Sequence, residues 1–153
     1  MTIMSYYGIG IYSSKTKHNL GTLWRSAFIY GASFIFLINS RYSMQASDTL
    51  KSVKHIPLFH YDNFDDFYNN LPYGAQLIGV ELSLNAFPIK EFSHPKIAIY
   101  LLGSEDNGLS NEIISKCHQT IILPGEKSLN VSVAGSIVMF DRINKFQKEI
   151  RNF

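Results

Sequence analysis

Apolar positions along this chain follow two patterns: continuous runs that predict buried strands, and a spacing of three or four that predicts amphipathic helices. The aromatic and β-branched run Tyr6–Tyr12 predicts the first strand, and residues 33–39 predict the second. Further strands are predicted at residues 56–60, 75–81, 97–102 and 119–123. Strands therefore recur through most of the chain.

Segments with helical spacing of apolar residues lie between these strands or follow them. Asn19 is placed to cap the first helix and Gly31 to end it, and Ser110 is placed to cap another. The other helices are predicted over residues 63–71, 110–117 and about 130–148, whereas residues 41–54 are polar and predict a loop with a short helix. The apolar stripe of the first helix consists of Leu20, Leu23, Trp24, Ala27 and Phe28.

The last helix is apolar on nearly all sides in its first half and basic in its second half. A helix that is apolar on most sides must be buried on most sides, by its own domain and by a second copy of the chain. We therefore expect the apolar half of this helix to contribute to a subunit interface, which a charge such as Val138→Glu would disrupt if that residue is interfacial. The apolar residues are Val131, Val133, Ala134, Ile137, Val138 and Phe140, and the basic ones are Arg142, Lys145 and Lys148.

Alternation of strands and helices predicts an α/β fold, with a mostly parallel sheet that carries helices on both faces. Ligands of such sheets bind beyond the carboxyl ends of the strands. The loops after Leu102 and Leu123 are therefore the first candidates for a functional site.

Composition excludes several classes of protein. Fourteen Lys and Arg against 12 Asp and Glu give a net charge of +2, which excludes a histone-like carrier, and 46% apolar residues exclude general disorder. The single cysteine, Cys117, excludes an internal disulfide. The longest apolar run has about 12 residues, whereas a membrane span needs ~20. The first residues do not have the pattern of a signal peptide. A cytoplasmic protein without membrane contact is therefore expected.

Three segments combine residues that carry chemistry: residues 18–25, residues 102–110, and Leu123-Pro124 followed by residues 128–134. Each one alone is explained by structure, since Asn19 and Asn130 are good helix caps and residues 103–108 are turn formers. Their occurrence together, in this order and at strand ends of an α/β chain, favours a functional site.

In this combination the segments resemble the SpoU (TrmH-like) family of RNA ribose 2′-O-methyltransferases, part of the SPOUT class. The resemblance covers the chain from about residue 7 to residue 146. The first motif of the family is matched by Asn19, Gly21 and Arg25, the second by Gly103, Ser104, Glu105, Gly108 and Leu109, and the third by Leu123, Pro124, Ser128, Asn130, Ser132 and Ala134.

The resemblance implies a C-terminal trefoil knot, S-adenosylmethionine as cofactor, no metal, and a homodimer. It implies methylation of structured RNA, with tRNA favoured. The alternatives are methylation of rRNA and a non-catalytic RNA-binding module of the same fold. Because the first motif begins at residue 19, we expect one domain over residues 1–153 without a separate N-terminal RNA-binding domain. Cofactor-binding residues implied by the resemblance are Val80, Glu81, Gly103, Gly108, Leu123, Ser128 and Leu129.

Catalytic roles are implied for Asn19, Arg25, Glu105, Ser128 and Asn130. Since the pKa of a guanidinium lies above ~12, Arg25 suits a clamp on ribose and phosphate better than a general base. Asn19 would orient Arg25 or the hydroxyl, and Glu105 and Asn130 would brace the loops. Candidate RNA contacts are Lys15, Lys17, Arg25 and Arg41, with Arg142, Lys145, Lys148 and Arg151 in the tail, although any one of these is also explained as a solvated surface cation.

Competing motifs are incomplete. The pair Gly8 and Gly10 has Ser13 where a dinucleotide-binding fingerprint needs a third glycine. The five histidines include no pair spaced by four residues for a metal.

Overall fold

The computed structural model describes residues 5–14, 17–40, 56–81, 85–104, 106–125 and 129–151. The predicted loop and short helix at residues 41–54 lie outside the described residues. In chain order the elements are β1 (Tyr6–Tyr12), α1 (Lys17–Ile29), β2 (Phe34–Ile38), β3 (Leu58–Tyr61), α2 (Phe64–Asn69), β4 (Gln76–Val80), β5 (Phe87–Pro88), a 3-10 turn (Ile89–Glu91), β6 (Ile97–Leu102), α3 (Asn111–Lys116), β7 (Gln119–Ile122) and α4 (Val131–Arg151).

The strands form one seven-stranded sheet in the order β3-β2-β1-β6-β4-β7-β5. Every neighbouring pair is parallel, so the carboxyl ends of all seven strands lie at the same edge. Because β1 and β6 lie inside the sheet and are buried on both faces, they have the continuous apolar sequences from which they were predicted.

Helices cover both faces of the sheet. One apolar core lies between the sheet and the pair α1 and α4, and includes Leu23, Trp24 and Met139. The other lies under α2 and α3, and includes Phe67 and Ile113. The α/β prediction with helices on both faces is confirmed. The trefoil knot stays a prediction.

Some boundaries differ from those predicted. Helix α1 begins at Lys17, so Asn19 lies within its first turn with 4% of its surface exposed, and does not cap the helix. Gly31 has φ of 78° and follows the helix end, as predicted. Strand β5 was missed because two residues, one of them proline, carry no periodicity.

Helix α4 buries two residues that were expected elsewhere. Val138 is fully buried in the core of its own chain, so the condition that Val138 is interfacial is not met. Arg142 is 2% exposed, and its guanidinium donates to the carbonyls of Pro95 at 2.7 Å and Lys96 at 2.8 Å. Arg142 is therefore unavailable to RNA, and its prediction as a phosphate contact is wrong.

A polar cluster joins α4 to the segment before β6, at the edge of the sheet opposite the carboxyl ends. The His94 ring lies 2.6 Å from the Tyr100 hydroxyl and 2.7 Å from Asp141 Oδ2. Lys145 donates to the Ile89 carbonyl at 2.6 Å and also pairs with Asp141. Lys145 was predicted to contact RNA. In the structure its ammonium group instead bonds to groups of the protein itself.

Candidate functional site

A cavity of about 340 Å³ opens at the carboxyl edge of the sheet, where β4, β6 and β7 end. A volume of this size is typical of small-molecule sites. Described residues of three loops line it: Glu81 directly after β4, residues of the turn between β6 and α3, and residues 123–125 and 129 between β7 and α4. Six predicted cofactor-binding residues line it together: Val80, Glu81, Gly103, Gly108, Leu123 and Leu129.

The turn between β6 and α3 is tightly closed. The Gly108 N–H donates to the Ser104 carbonyl at 2.9 Å, and the Leu109 N–H donates to Glu81 Oε2 at 2.8 Å. Gly108 has φ of 58°, which favours glycine, and a side chain there would overlap the Glu81 carboxylate. A side chain at Gly103 would overlap the Gly108 backbone. Small residues at these two positions let the turn close beside the cavity.

The first and third motifs meet at the start of α4. Asn130 Nδ2 donates to Asn19 Oδ1 at 3.0 Å, across 111 positions of sequence. The Asn130 Oδ1 atom accepts from the N–H and the hydroxyl of Ser132, at 3.0 and 2.6 Å. Asn130 therefore caps α4 and also links α4 to α1. Its neighbours Leu129 and Val131 line the cavity, so the link lies beside it.

Arg25 lies apart from this arrangement. It is exposed on α1 and is not among the residues that line the cavity. Six residues separate it from Asn19, which places it about 9 Å further along the helix axis and on a different side of the helix. The structure does not bring Arg25 to the cavity of its own chain.

Exposed apolar residues lie on the same side of α1 as Arg25. Phe28 and Ile29 lie three and four residues after it, on the same side of α1, and are 43% and 64% exposed. The Ser136 hydroxyl donates to the Ser26 hydroxyl at 2.8 Å, which holds α4 beside α1. We call this the α1–α4 surface; it consists of Phe28, Ile29, Val133, Ile137 and Phe140, each at least 38% exposed.

Four predicted site residues lie outside the described residues: Lys15, Arg41, Glu105 and Ser128. The side chains of Lys17, Lys148 and Arg151 lie outside the described part as well. The structure adds Val131, Asn111 and Ile114 to the cavity. Val131 lies in the third candidate segment but was not predicted to bind the cofactor. Asn111 and Ile114 were missed because the sequence pattern of α3 does not distinguish the positions that face the cavity.

Three further observations concern the described residues. No group of three or more His, Cys, Asp or Glu among them is placed to hold a metal ion. Burial raises the pKa of Cys117 to about 11, so this thiol is neutral and is no nucleophile. No helix in the described ranges is both long enough and apolar enough to cross a membrane.

Comparison with known protein families gives one match over most of the chain. The model of the SpoU rRNA Methylase family matches residues 8–140. A curated relative, the tRNA (guanosine(18)-2'-O)-methyltransferase of Escherichia coli strain K12, is 27% identical over 130 residues, which are 81% of this chain and 57% of that protein. The chain thus spans little more than half the length of this relative.

Solved structures share the fold. The AdoMet-bound rRNA methyltransferase from Sinorhizobium meliloti superposes with a TM-score of 0.82 at 24% identity, over 94% of this chain and 57% of that one. A structure described as giving insights into the 2-OH methylation of C/U34 on tRNA superposes with a TM-score of 0.81 at 22% identity, over 95% of this chain and 99% of that one.

Proposed function

We propose that this chain, which belongs to the SpoU rRNA Methylase family, transfers a methyl group from S-adenosylmethionine to a ribose 2′-hydroxyl of structured RNA. The observation that carries the proposal is the cavity at the carboxyl edge of the sheet. Residues of the second and third family motifs line it, and the bond between Asn19 and Asn130 holds Asn19 of the first motif beside it.

The cavity fits the cofactor by size and by lining. Leu123, Leu129 and Val131 offer apolar side chains to an adenine ring. Gly103 and Gly108 let the turn close against Glu81, because any side chain there would overlap neighbouring atoms, and both glycines line the cavity beside the proposed ribose position. Residues Val80, Glu81, Gly103, Gly108, Leu123 and Leu129 would hold the cofactor in this arrangement.

The chemistry that S-adenosylmethionine supplies when bound is an electrophilic methyl group: its C–S bond breaks as the O–C bond forms, sulfur keeps the electron pair, and the hydroxyl proton is released to solvent. The protein contributes position. Asn130, held by Asn19 and by the start of α4, keeps the cavity wall in place. The planar guanidinium of Arg25 clamps the ribose and an adjacent phosphate and stabilises the developing negative charge on the 2′-oxygen.

A homodimer completes the site. Arg25 lies away from the cavity of its own chain and on the same side of α1 as Phe28 and Ile29 of the α1–α4 surface, whose five apolar residues are all exposed. A second copy packed on this surface would cover it and bring its own Arg25 to the first copy's cavity. The exposure of these residues supports this arrangement, since an apolar patch on a soluble protein marks an interaction surface.

We favour tRNA as the RNA substrate. The curated relative is named for guanosine 18 of tRNA, and the solved structure that the chain covers almost completely is described as concerning position 34 of tRNA. An exposed cation next to an apolar surface suits contact with a compact folded RNA, where phosphate contacts position the substrate.

Calorimetry with S-adenosylmethionine tests the proposal, because it separates an enzyme from a non-catalytic module that keeps the fold. We expect saturable binding of one cofactor per chain in the micromolar range. Absence of binding at millimolar cofactor would overturn the proposed function.

A further inference from the structure

The carboxylate of Glu81 is held in a fixed position at the wall of the cavity. Its main-chain N–H donates to the Ile121 carbonyl at 3.1 Å, which continues the pairing of β4 with β7. Its Oε2 accepts from the Leu109 N–H at 2.8 Å and lies against the Cα of Gly108. The side chain is thus held between the end of one strand and the turn after another, and it is only partly exposed.

Within the described part of the chain, the charged side chains that line the cavity have one sign. Among the described residues that line it, the charged side chains are Glu81 and Asp106, and none is Lys, Arg or His. Asp106 is exposed on the turn, where water screens its charge. Glu81 is partly buried, so its field acts more strongly on a ligand in the cavity.

The two ligands that the proposed function places in the cavity differ in charge. The methyl donor carries a sulfonium, an ammonium and a carboxylate, so its net charge is +1. Its demethylated product carries a neutral thioether in place of the sulfonium, because the electron pair of the broken C–S bond stays on sulfur, and its net charge is zero. Apart from the transferred methyl group and this charge, the two ligands have the same covalent structure.

We propose that Glu81 is a specificity-determining residue, whose fixed carboxylate favours the cationic methyl donor over the neutral product and so promotes product release. The inference rests on the proposed function. Glu81 thereby has two effects that can be separated. Its hydrogen bond to Leu109 holds the turn and strengthens binding of both ligands alike, whereas its charge changes the ratio of their affinities.

Calorimetry on the full chain with three ligands tests the inference. The ligands are S-adenosylmethionine, S-adenosylhomocysteine and sinefungin, which carries an ammonium where the donor has its sulfonium and cannot transfer a methyl group. Glu81→Gln keeps the hydrogen-bond acceptor and removes the charge. Glu112→Gln makes the same change on the exposed side of α3, outside the residues that line the cavity.

We expect Glu81→Gln to lower the preference for S-adenosylmethionine over S-adenosylhomocysteine by about fivefold or more, with sinefungin following the donor and Glu112→Gln changing nothing. An unchanged preference, or sinefungin following the product, would overturn the inference and leave the proposed function intact. Failure of all three ligands to bind the unmodified protein would overturn both.

If Glu81→Gln disturbs the turn and binds no ligand, a salt titration of the unmodified protein tests the inference instead. Raising the ionic strength should weaken binding of S-adenosylmethionine and sinefungin more than binding of S-adenosylhomocysteine, because only the first two carry the extra positive charge. Equal weakening of all three ligands would overturn the inference.

Discussion

Arg25 and the cavity lie on different parts of the chain, so cofactor binding and methyl transfer should respond separately to substitution. The cavity is built by Glu81, by the turn that contains Gly103 and Gly108, and by Leu123 and Leu129. Arg25 is exposed on α1 and lines none of it. Residues of the cavity wall should therefore change the affinity for the cofactor, and Arg25 should change the rate.

Arg25→Ala is expected to abolish methyl transfer and to leave the affinity for S-adenosylmethionine nearly unchanged. Arg25→Lys should also fail, because a point charge does not replace the planar fork of a guanidinium. Single-turnover rates with RNA and calorimetry with the cofactor measure the two effects. A variant that keeps more than about a tenth of the rate, a loss below ~1.4 kcal/mol of barrier, would remove Arg25 from the site.

Gly108→Ala is expected to weaken cofactor binding by about tenfold or more. Its φ of 58° strains any other residue, and the added methyl group would overlap the Glu81 carboxylate. Gly74→Ala is the matched control, since Gly74 also has a positive φ, of 78°, but faces open space away from the cavity. Calorimetry that finds equal affinities for the two variants would contradict the description of the turn.

At the scale of elements, α4 packs on the sheet with one side and presents another side outwards. Met139 is fully buried, whereas Val133, Ile137 and Phe140 recur at helical spacing on the exposed side. This division explains why the first half of the helix is apolar on nearly all sides. It also shows why Val138, which points into the core, is unsuitable for testing an interface.

Phe140→Glu is expected to prevent formation of the proposed dimer and abolish activity together, because a buried unpaired charge costs several kcal/mol. Phe59→Glu is the control, since Phe59 is an exposed phenylalanine of β3, outside the α1–α4 surface. Sedimentation at micromolar concentration gives the oligomeric state. A fully active monomer of the unmodified protein would contradict the proposed construction of the site.

The cluster that joins α4 to the segment before β6 should make stability depend on pH. Burial lowers the pKa of His94 below its usual value of about 6.5. The hydrogen bond to Asp141 and its negative charge oppose this effect, whereas the positive charges of Lys145 and Arg142 lower the pKa further. Burial also raises the pKa of Tyr100 to about 12, so its hydroxyl stays protonated and donates to His94. The cluster therefore requires a neutral His94 ring, whose second nitrogen donates to Asp141.

Because the pKa of His94 is lower in the folded state than in the unfolded state, its contribution is present above about pH 6.5 and is lost as the pH falls below that value. We expect the urea midpoint to fall between about pH 7.5 and pH 5, and to fall less in His94→Gln, which keeps a donor and an acceptor but does not titrate. His60→Gln removes an exposed histidine as a control. An equal fall in all three proteins would show that His94 does not contribute.

For the whole molecule, local pattern predicted the elements and could not predict the contacts between distant segments. Strands β1 and β6 have the predicted bounds because both are continuous apolar runs. The hydrogen bond from Asn130 to Asn19 spans 111 positions, and no local rule connects them. The family resemblance named residues that are distant in sequence and line one cavity, among them Glu81, Gly103 and Leu123.

Charge alone was a poor guide to function in the C-terminal helix. Arg142 was expected to meet phosphate, yet it is buried and bonded to backbone carbonyls beside the Tyr7 ring. Its sequence neighbourhood is amphipathic and basic, which is typical of a solvated face. Only the packing of α4 against the segment before β6 determines that this cation faces inwards.

The most direct test of the proposed function follows the methyl group itself. The protein is incubated with RNA and S-adenosylmethionine that carries a deuterated methyl group, and the RNA is then digested to nucleosides and analysed by mass spectrometry. We expect a 2′-O-methylnucleoside that carries the label on its ribose, formed from tRNA and absent with Arg25→Ala. Label on a base, or no label in any RNA although the cofactor binds, would contradict 2′-O-methyl transfer by this chain.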